Sequence, residues 1–206
     1  MDTPRKFYTR MGADWLSTLK DNDRTESELN YLTRILKEGS TILDLACGYG
    51  RLSIPLAEYG YTVTGIDITP IFIQKAKQEA NKLNLNIEFK TADMRNIPYP
   101  DASFDHVICM WNAFSEITDE QDQVRVISEI YRVLKKEGLA VIEMRNHRSS
   151  GIVEKNFIDG IEAMPTFNHT RGSIKRLIRL SAVTNFRVFI DNFGGRKRLI
   201  LEIIKN

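Results

Sequence analysis

The 206-residue sequence predicts an α/β fold, a doubly wound and mostly parallel sheet that ends in a C-terminal antiparallel hairpin. Three observations carry this. Short runs rich in aliphatic and β-branched residues recur up to residue 144, as buried parallel strands do. Stretches of helical periodicity lie between them, and such alternation builds a parallel sheet with helices on both faces. Near the end, two apolar runs flank Gly194-Gly195, a turn that suits a hairpin.

In chain order, residues 1–38 read as a helical lid or cap, with Leu29–Lys37 stopping at Gly39 before the first strand, Thr41–Leu45. The second strand is Thr62–Ile66. Thr69-Pro70 then reads as an N-cap followed by proline in the first helical turn, ahead of Phe72, Ala76, Ala80 and Leu83 at helical spacing. Asn86–Lys90 and His106–Met110 are the third and fourth strands. Thr118 to Gln121 matches a capping box, and Val124, Ile127, Ile130, Tyr131 and Leu134 form an apolar stripe that Gly138 closes. Leu139–Met144 is the fifth strand. Residues 146–170 lack periodicity and are long enough for an acceptor-side loop. Ser173–Val183 reads as a helix, and Phe186–Asp191 and Arg198–Ile204 as the hairpin strands.

Composition narrows the function. The chain is 42% hydrophobic and 27% charged, which suits one globular domain over residues 1–206. A net charge of +2 gives no nucleic-acid footprint by itself. Cys47 and Cys109 stand far apart, with neither a disulfide framework nor metal-ligand spacing, so no metal is expected and a reducing cytoplasm suits them. Met1 to Lys20 has no apolar signal core, and no run approaches the roughly 20 residues that span a bilayer, so no membrane partner is expected.

The chemistry centres on residues 42–51, ILDLACGYGR. A buried strand ends in a turn where Gly48 and Gly50 let backbone pass close to a ligand. Asp44, inside the strand, is ill placed beside a pyrophosphate and well placed beside an amino group or sulfonium. Asp67 ends the second strand, where a carboxylate accepts ribose hydroxyls, and Ile68 is placed to pack on an adenine face. Thr91-Ala92-Asp93-Met94 follows the third strand, where Asp93 suits an exocyclic amine. Three acids at three consecutive strand ends mark the place where open α/β sheets bind ligands.

These motifs, with TADMRNIPYPDASFDHVICMW at 91–111 and YRVLKKEGLAVIE at 131–143, resemble the class I S-adenosylmethionine-dependent methyltransferases, in style the small single-domain group that acts on quinones and natural products. The resemblance spans roughly residues 29–144. It implies a Rossmann-like, seven-stranded sheet with its last strand antiparallel. It also implies S-adenosylmethionine as cofactor. Asp44, Gly48 and Gly50 would surround its methionine part, with Ala46, Cys47 and Tyr49 along the same turn. Asp67 and Ile68 would hold its ribose and adenine, with Ala92, Asp93 and Met94 at the adenine amine and ring. Cys109 and Met110 would lie beside the methyl group.

The implied reaction is a direct displacement, in which positioning contributes roughly 7–11 kcal/mol. A nitrogen or hydroxyl acceptor of high pKa also needs a general base. His147 and Glu143 are the first candidates, and Glu116, Tyr8 and His169 follow. His106 lies at the wrong strand end. Tyr8, Trp15, Trp111, Asn112 and Phe114 are expected to face the acceptor, although each aromatic serves equally well as core. A small-molecule acceptor leads, with RNA or protein as the alternative. Ser53 at the third fingerprint position, together with Asp44, speaks against a nicotinamide-dependent oxidoreductase. A silent cofactor-binding module remains a third class.

Overall fold

A computed structural model describes residues 3–154, 156–158, 160–181 and 183–206. Three helices come first: α1 Pro4–Met11, α2 Ala13–Thr18 and α3 Asn22–Ile35. Then follow β1 Thr41–Leu45, α4 Ser53–Glu58, β2 Thr62–Asp67, α5 Pro70–Lys82, β3 Glu88–Thr91 and β4 Phe104–Cys109. A 3-10 turn, Ala113–Glu116, leads to α6 Glu120–Val133 and β5 Leu134–Arg145. Four three-residue strands come next: β6 Gly151–Val153, β7 Asn156–Ile158, β8 Ile161–Ala163 and β9 Thr166–Asn168. The chain closes with α7 Arg171–Leu180, β10 Phe186–Phe193 and β11 Arg196–Ile204.

The sheet has seven strands in the order β10–β11–β5–β4–β1–β2–β3. The five strands from β5 to β3 run parallel, and β11 and β10 are antiparallel, as the sequence predicts. Strand order reverses between β1 and β4, which opens a crevice at their carboxyl ends. Along β1 the side chains alternate. Leu43 and Leu45 pack with Ile127 and Ile130 of α6 and with Leu177 of α7, whereas Ile42 packs on the other face with Leu32 of α3 and Leu56 of α4. Helices therefore cover both faces. Among the described residues no helix is long and apolar enough to cross a membrane.

Several expectations shift. The cap of α6 is Asp119, which accepts the Asp122 N–H at 2.9 Å, one residue beyond the predicted Thr118. Thr69 precedes α5 without a side-chain cap bond, because Pro70 already fixes the first turn. Gly138 does not close α6. The helix ends at Val133, Leu134 is already extended and pairs with Phe104, and Gly138 lies inside β5. A Cβ there would sit 2.7 Å from the Asp105 carbonyl oxygen and 2.8 Å from that of Lys135, so glycine is needed for close backbone approach. The polar stretch Lys135–Glu137 hid the strand's start. Residues 146–170 are not one irregular loop. Within the described part, β6 pairs with β9 and β7 with β8, one hairpin nested inside the other. Strands of three residues are too short to show alternation. Just beyond, Thr170 and Ser173 form a reciprocal capping box that starts α7 earlier than its apolar stripe suggests.

Gly138→Ala is expected to destabilise the fold by about 1–3 kcal/mol through this backbone clash, read as a lower urea midpoint with unchanged slope.

Candidate functional site

The turn after β1 is built by its backbone. Ala46, Gly48 and Gly50 all have positive φ, at 54°, 57° and 88°, and the Gly50 N–H donates to the Cys47 carbonyl at 3.0 Å. The turn swings under Asp67, which is buried at the end of β2. Its two oxygens accept the backbone N–H groups of Gly48 at 3.0 Å and Thr69 at 2.8 Å. Asp44, also buried, accepts the Ser53 hydroxyl at 2.6 Å, and burial pushes its carboxyl up to about 7.

These groups line a cavity of about 690 Å³ over the carboxyl ends of the parallel strands, a volume that suits a small-molecule ligand. Asp44, Ala46, Cys47, Gly48 and Tyr49 line it from β1 and its turn, Asp67 and Ile68 from β2, and Ala92, Asp93 and Met94 from beyond β3. Met110, Trp111 and Asn112 line it beyond β4, and Tyr8 with Leu16 and Leu19 covers it from the N-terminal segment. The Tyr49 hydroxyl is buried with no protein partner. Asp93 is engaged by Arg95, whose Nη2 lies 2.6 Å from Oδ2. These bonds hold the carboxyl below its usual range although burial works the other way.

Six expected residues lie elsewhere. Gly50 packs against Ile54 and Phe89, and its positive φ is what the turn requires of it. Cys109 faces the core beneath α6, as strand alternation demands when its neighbour Met110 faces the cavity. Phe114 is fully buried, and Trp15 packs edge-on against Phe7, centroids 5.8 Å apart. His147 is half-buried outside the lining, its pKa lowered by burial and by Arg145. Glu143 has no contact with solvent and belongs to an ion cluster.

In that cluster Arg24 Nε meets Glu28 at 2.7 Å and Arg24 Nη2 meets Glu143 at 3.1 Å. Arg51 Nη1 lies 2.6 Å from Glu28, and Arg198 Nε bonds Glu143 directly. Glu143 also accepts the Asn112 N–H at 3.0 Å. Gly194, at the hairpin tip with φ +54°, lies against the Arg24 backbone so closely that a Cβ would come within 2.8 Å. A carboxylate tied to two arginines and a backbone N–H has no freedom to act as a base, which removes Glu143 from that role.

The weaker candidates divide. Tyr8 donates its hydroxyl to Glu116 at 2.6 Å inside the cavity, and burial pushes Glu116 up to about 8. His169 lies in the core against Phe114 and Phe167, and burial drives its pKa down to about 3, so it stays neutral. Arg24, Arg51, Arg145 and Arg196 also line the cavity. Arg145 ends a parallel strand, so the strand-end rule that found the acids would have found it too.

Residues 42–138 match the family described as methyltransferase domain. A glycine/sarcosine N-methyltransferase of Parasynechococcus marenigrum is 32% identical over 136 residues, covering 65% of this chain and 48% of that protein. A 2-methyl-6-phytyl-1,4-hydroquinone methyltransferase of Synechocystis is 34% identical over 123 residues, covering 59% and 37%. The chain thus spans about half the length, or less, of these curated relatives. In fold it is similar to the 1,6-didemethyltoxoflavin-N1-methyltransferase of Burkholderia thailandensis, solved with its namesake compound and S-adenosylhomocysteine. The TM-score is 0.76 at 16% identity, over 98% of this chain and 87% of that one.

Two outcomes are expected. Glu143→Gln leaves Arg24 and Arg198 without their shared countercharge and costs about 3–5 kcal/mol in urea unfolding. Folded Asp44 binds a proton up to about pH 7, whereas an unfolded aspartate releases it near 4. Its contribution is therefore present at low pH and lost as pH rises through about 7. Unfolding curves across that window should show a smaller loss of stability in Asp44→Asn.

Proposed function

We propose that this chain, which belongs to the class I S-adenosylmethionine-dependent methyltransferases, binds S-adenosylmethionine in the 690 Å³ cavity and methylates a nucleophile on a small-molecule acceptor. The observation that carries this is the acidic lining. Asp44, Asp67 and Asp93 stand at three strand ends around one glycine turn. That set suits a ligand bearing an ammonium, a sulfonium and a ribose, and it repels a pyrophosphate, which speaks against the nicotinamide alternative.

The residues fit such a ligand in detail. Asp67, clamped by two backbone N–H groups, keeps a free lone pair on each oxygen for a diol. The buried Tyr49 hydroxyl lacks any protein partner and lines the same space. Asp93 shares its oxygens with Arg95, so an adenine amine would join an existing bonded group. When bound, the cofactor supplies a methyl group already activated on sulfur. The work left to the protein is to align the acceptor, exclude water and remove a proton.

For the proton, the Tyr8–Glu116 pair replaces His147 and Glu143 as our candidate. In its ionised form, which grows as pH rises towards about 8, Glu116 is basic enough to accept a proton from an amine or hydroxyl, and the Tyr8 hydroxyl fixes its orientation. A small acceptor is favoured because the space is covered from two sides, by Tyr8, Leu16 and Leu19 and by Phe157 and Ile158 of the nested hairpins. The relatives named for glycine/sarcosine and for a hydroquinone agree with it.

Calorimetry with S-adenosylmethionine and S-adenosylhomocysteine, and NAD as control, tests this reading. Both sulfur compounds should bind, and Asp67→Ala should weaken them by about tenfold or more, the loss of charge-assisted hydrogen bonds. Tighter binding of NAD, or no binding of either sulfur compound, overturns it.

A further inference from the structure

We infer that Arg145 is the anion-recognising residue of the acceptor half of the cavity, so that the acceptor carries a carboxylate as well as its nucleophile. This rests on the methyltransferase reading and adds the substrate class.

Arg145 ends β5 and lines the cavity together with Tyr8, Glu116, Trp111 and Asn112. Its backbone N–H donates to Asn112 Oδ1 at 2.8 Å, and Asn112 in turn donates its own N–H to Glu143. The residue's position is therefore fixed to the turn after β4, whereas its guanidinium is left for the cavity. Four other arginines of the lining have partners. Arg24 and Arg51 are held in the buried cluster, Arg95 by Asp93 and Asp122, and Arg196 by Asp21 at 3.3 Å. Arg145 forms no ion pair among the described residues. Arg5, also unpaired there, is carried by the first turn of α1, whereas Arg145 stands at the carboxyl end of a parallel strand.

Its surroundings leave that charge uncompensated. Arg145 keeps solvent exposure at the end of β5; partial burial, and then the like charges of Arg24 and Arg196, lower its pKa, with Tyr8 and Glu116 acting the other way. Glu116, pushed up to about 8, is mostly neutral at pH 7 and supplies little countercharge. A planar guanidinium in this setting is matched by a planar anion that takes two parallel hydrogen bonds. The acids Asp44, Asp67 and Asp93 elsewhere in the same cavity favour one negative charge over two, hence a carboxylate over a phosphate dianion. Phe157 and Ile158 add an apolar wall for the rest of the molecule.

The test is calorimetry on the full chain saturated with S-adenosylhomocysteine. The probes are acetate and benzoate, their neutral amides acetamide and benzamide, and inorganic phosphate. At least one carboxylate should bind about tenfold or more tightly than its amide and than phosphate. Arg145→Met should remove that preference and Arg145→Lys should keep part of it, while both variants bind S-adenosylhomocysteine within about twofold of the parent chain, which also reports that they fold. Equal binding of acid and amide, no binding of either carboxylate, tighter binding of phosphate, or an unchanged preference in Arg145→Met overturns the inference. Failure of the parent chain to bind S-adenosylhomocysteine at all overturns instead the cofactor reading on which it rests.

Discussion

Two carboxylates shared among three arginines, all nearly out of water, are the constraint around which this molecule is arranged. Glu28 and Glu143 cannot be buried alone, and Arg24, Arg51 and Arg198 cannot be buried without them. The five come from four parts of the fold: Arg24 and Glu28 from α3, Arg51 from the turn after β1, Glu143 from β5 and Arg198 from β11. Through the Asn112 N–H the cluster also reaches the turn after β4. An apolar cluster of equal volume can match such a group in stability. What charges add is direction. Every bond has a preferred line, so the helix, two turns and two strands that frame the cavity are fixed relative to one another.

The cavity that results is electrically divided. Acids gather where β1, β2 and β3 end, around a turn whose positive φ angles bring backbone N–H groups to Asp67. Arginines gather where α3, β5 and the hairpin of β10 and β11 converge. With three arginines against two carboxylates, the buried cluster keeps one positive charge in excess, so it orders the walls without neutralising the second half.

The first of these halves was legible in the sequence and the second was not, for a physical reason. Local patterns report local structure. The ILDLACGYGR segment states its strand, its turn and its acid within ten residues, and Asp67 and Asp93 repeat the strand-end position. Glu143 carried only part of its meaning. A polar residue between Ile142 and Met144 signals a special role, but the partners that decide the role lie 119 residues upstream and 55 downstream. Cys109 and Gly50 were misplaced for another reason. Proximity along the chain was taken for direction, whereas the period of two in a strand sends Cys109 and Met110 to opposite faces. The nested hairpins and the early start of β5 escaped because strands of three residues, or strands opening on lysines, give no apolar alternation to read.

The close seating of Gly194 on the backbone of Arg24 has a wider meaning. It brings the early and the late stretches of the polypeptide together at one wall, while the segment shared with the methyltransferase family, residues 42–138, supplies the opposite wall. Tyr8, Arg24, Arg145, Phe157 and Arg196 all fall outside that shared segment. Similarity measured over residues 42–138 therefore does not report on these flanking residues, which have to be read one by one from the structure.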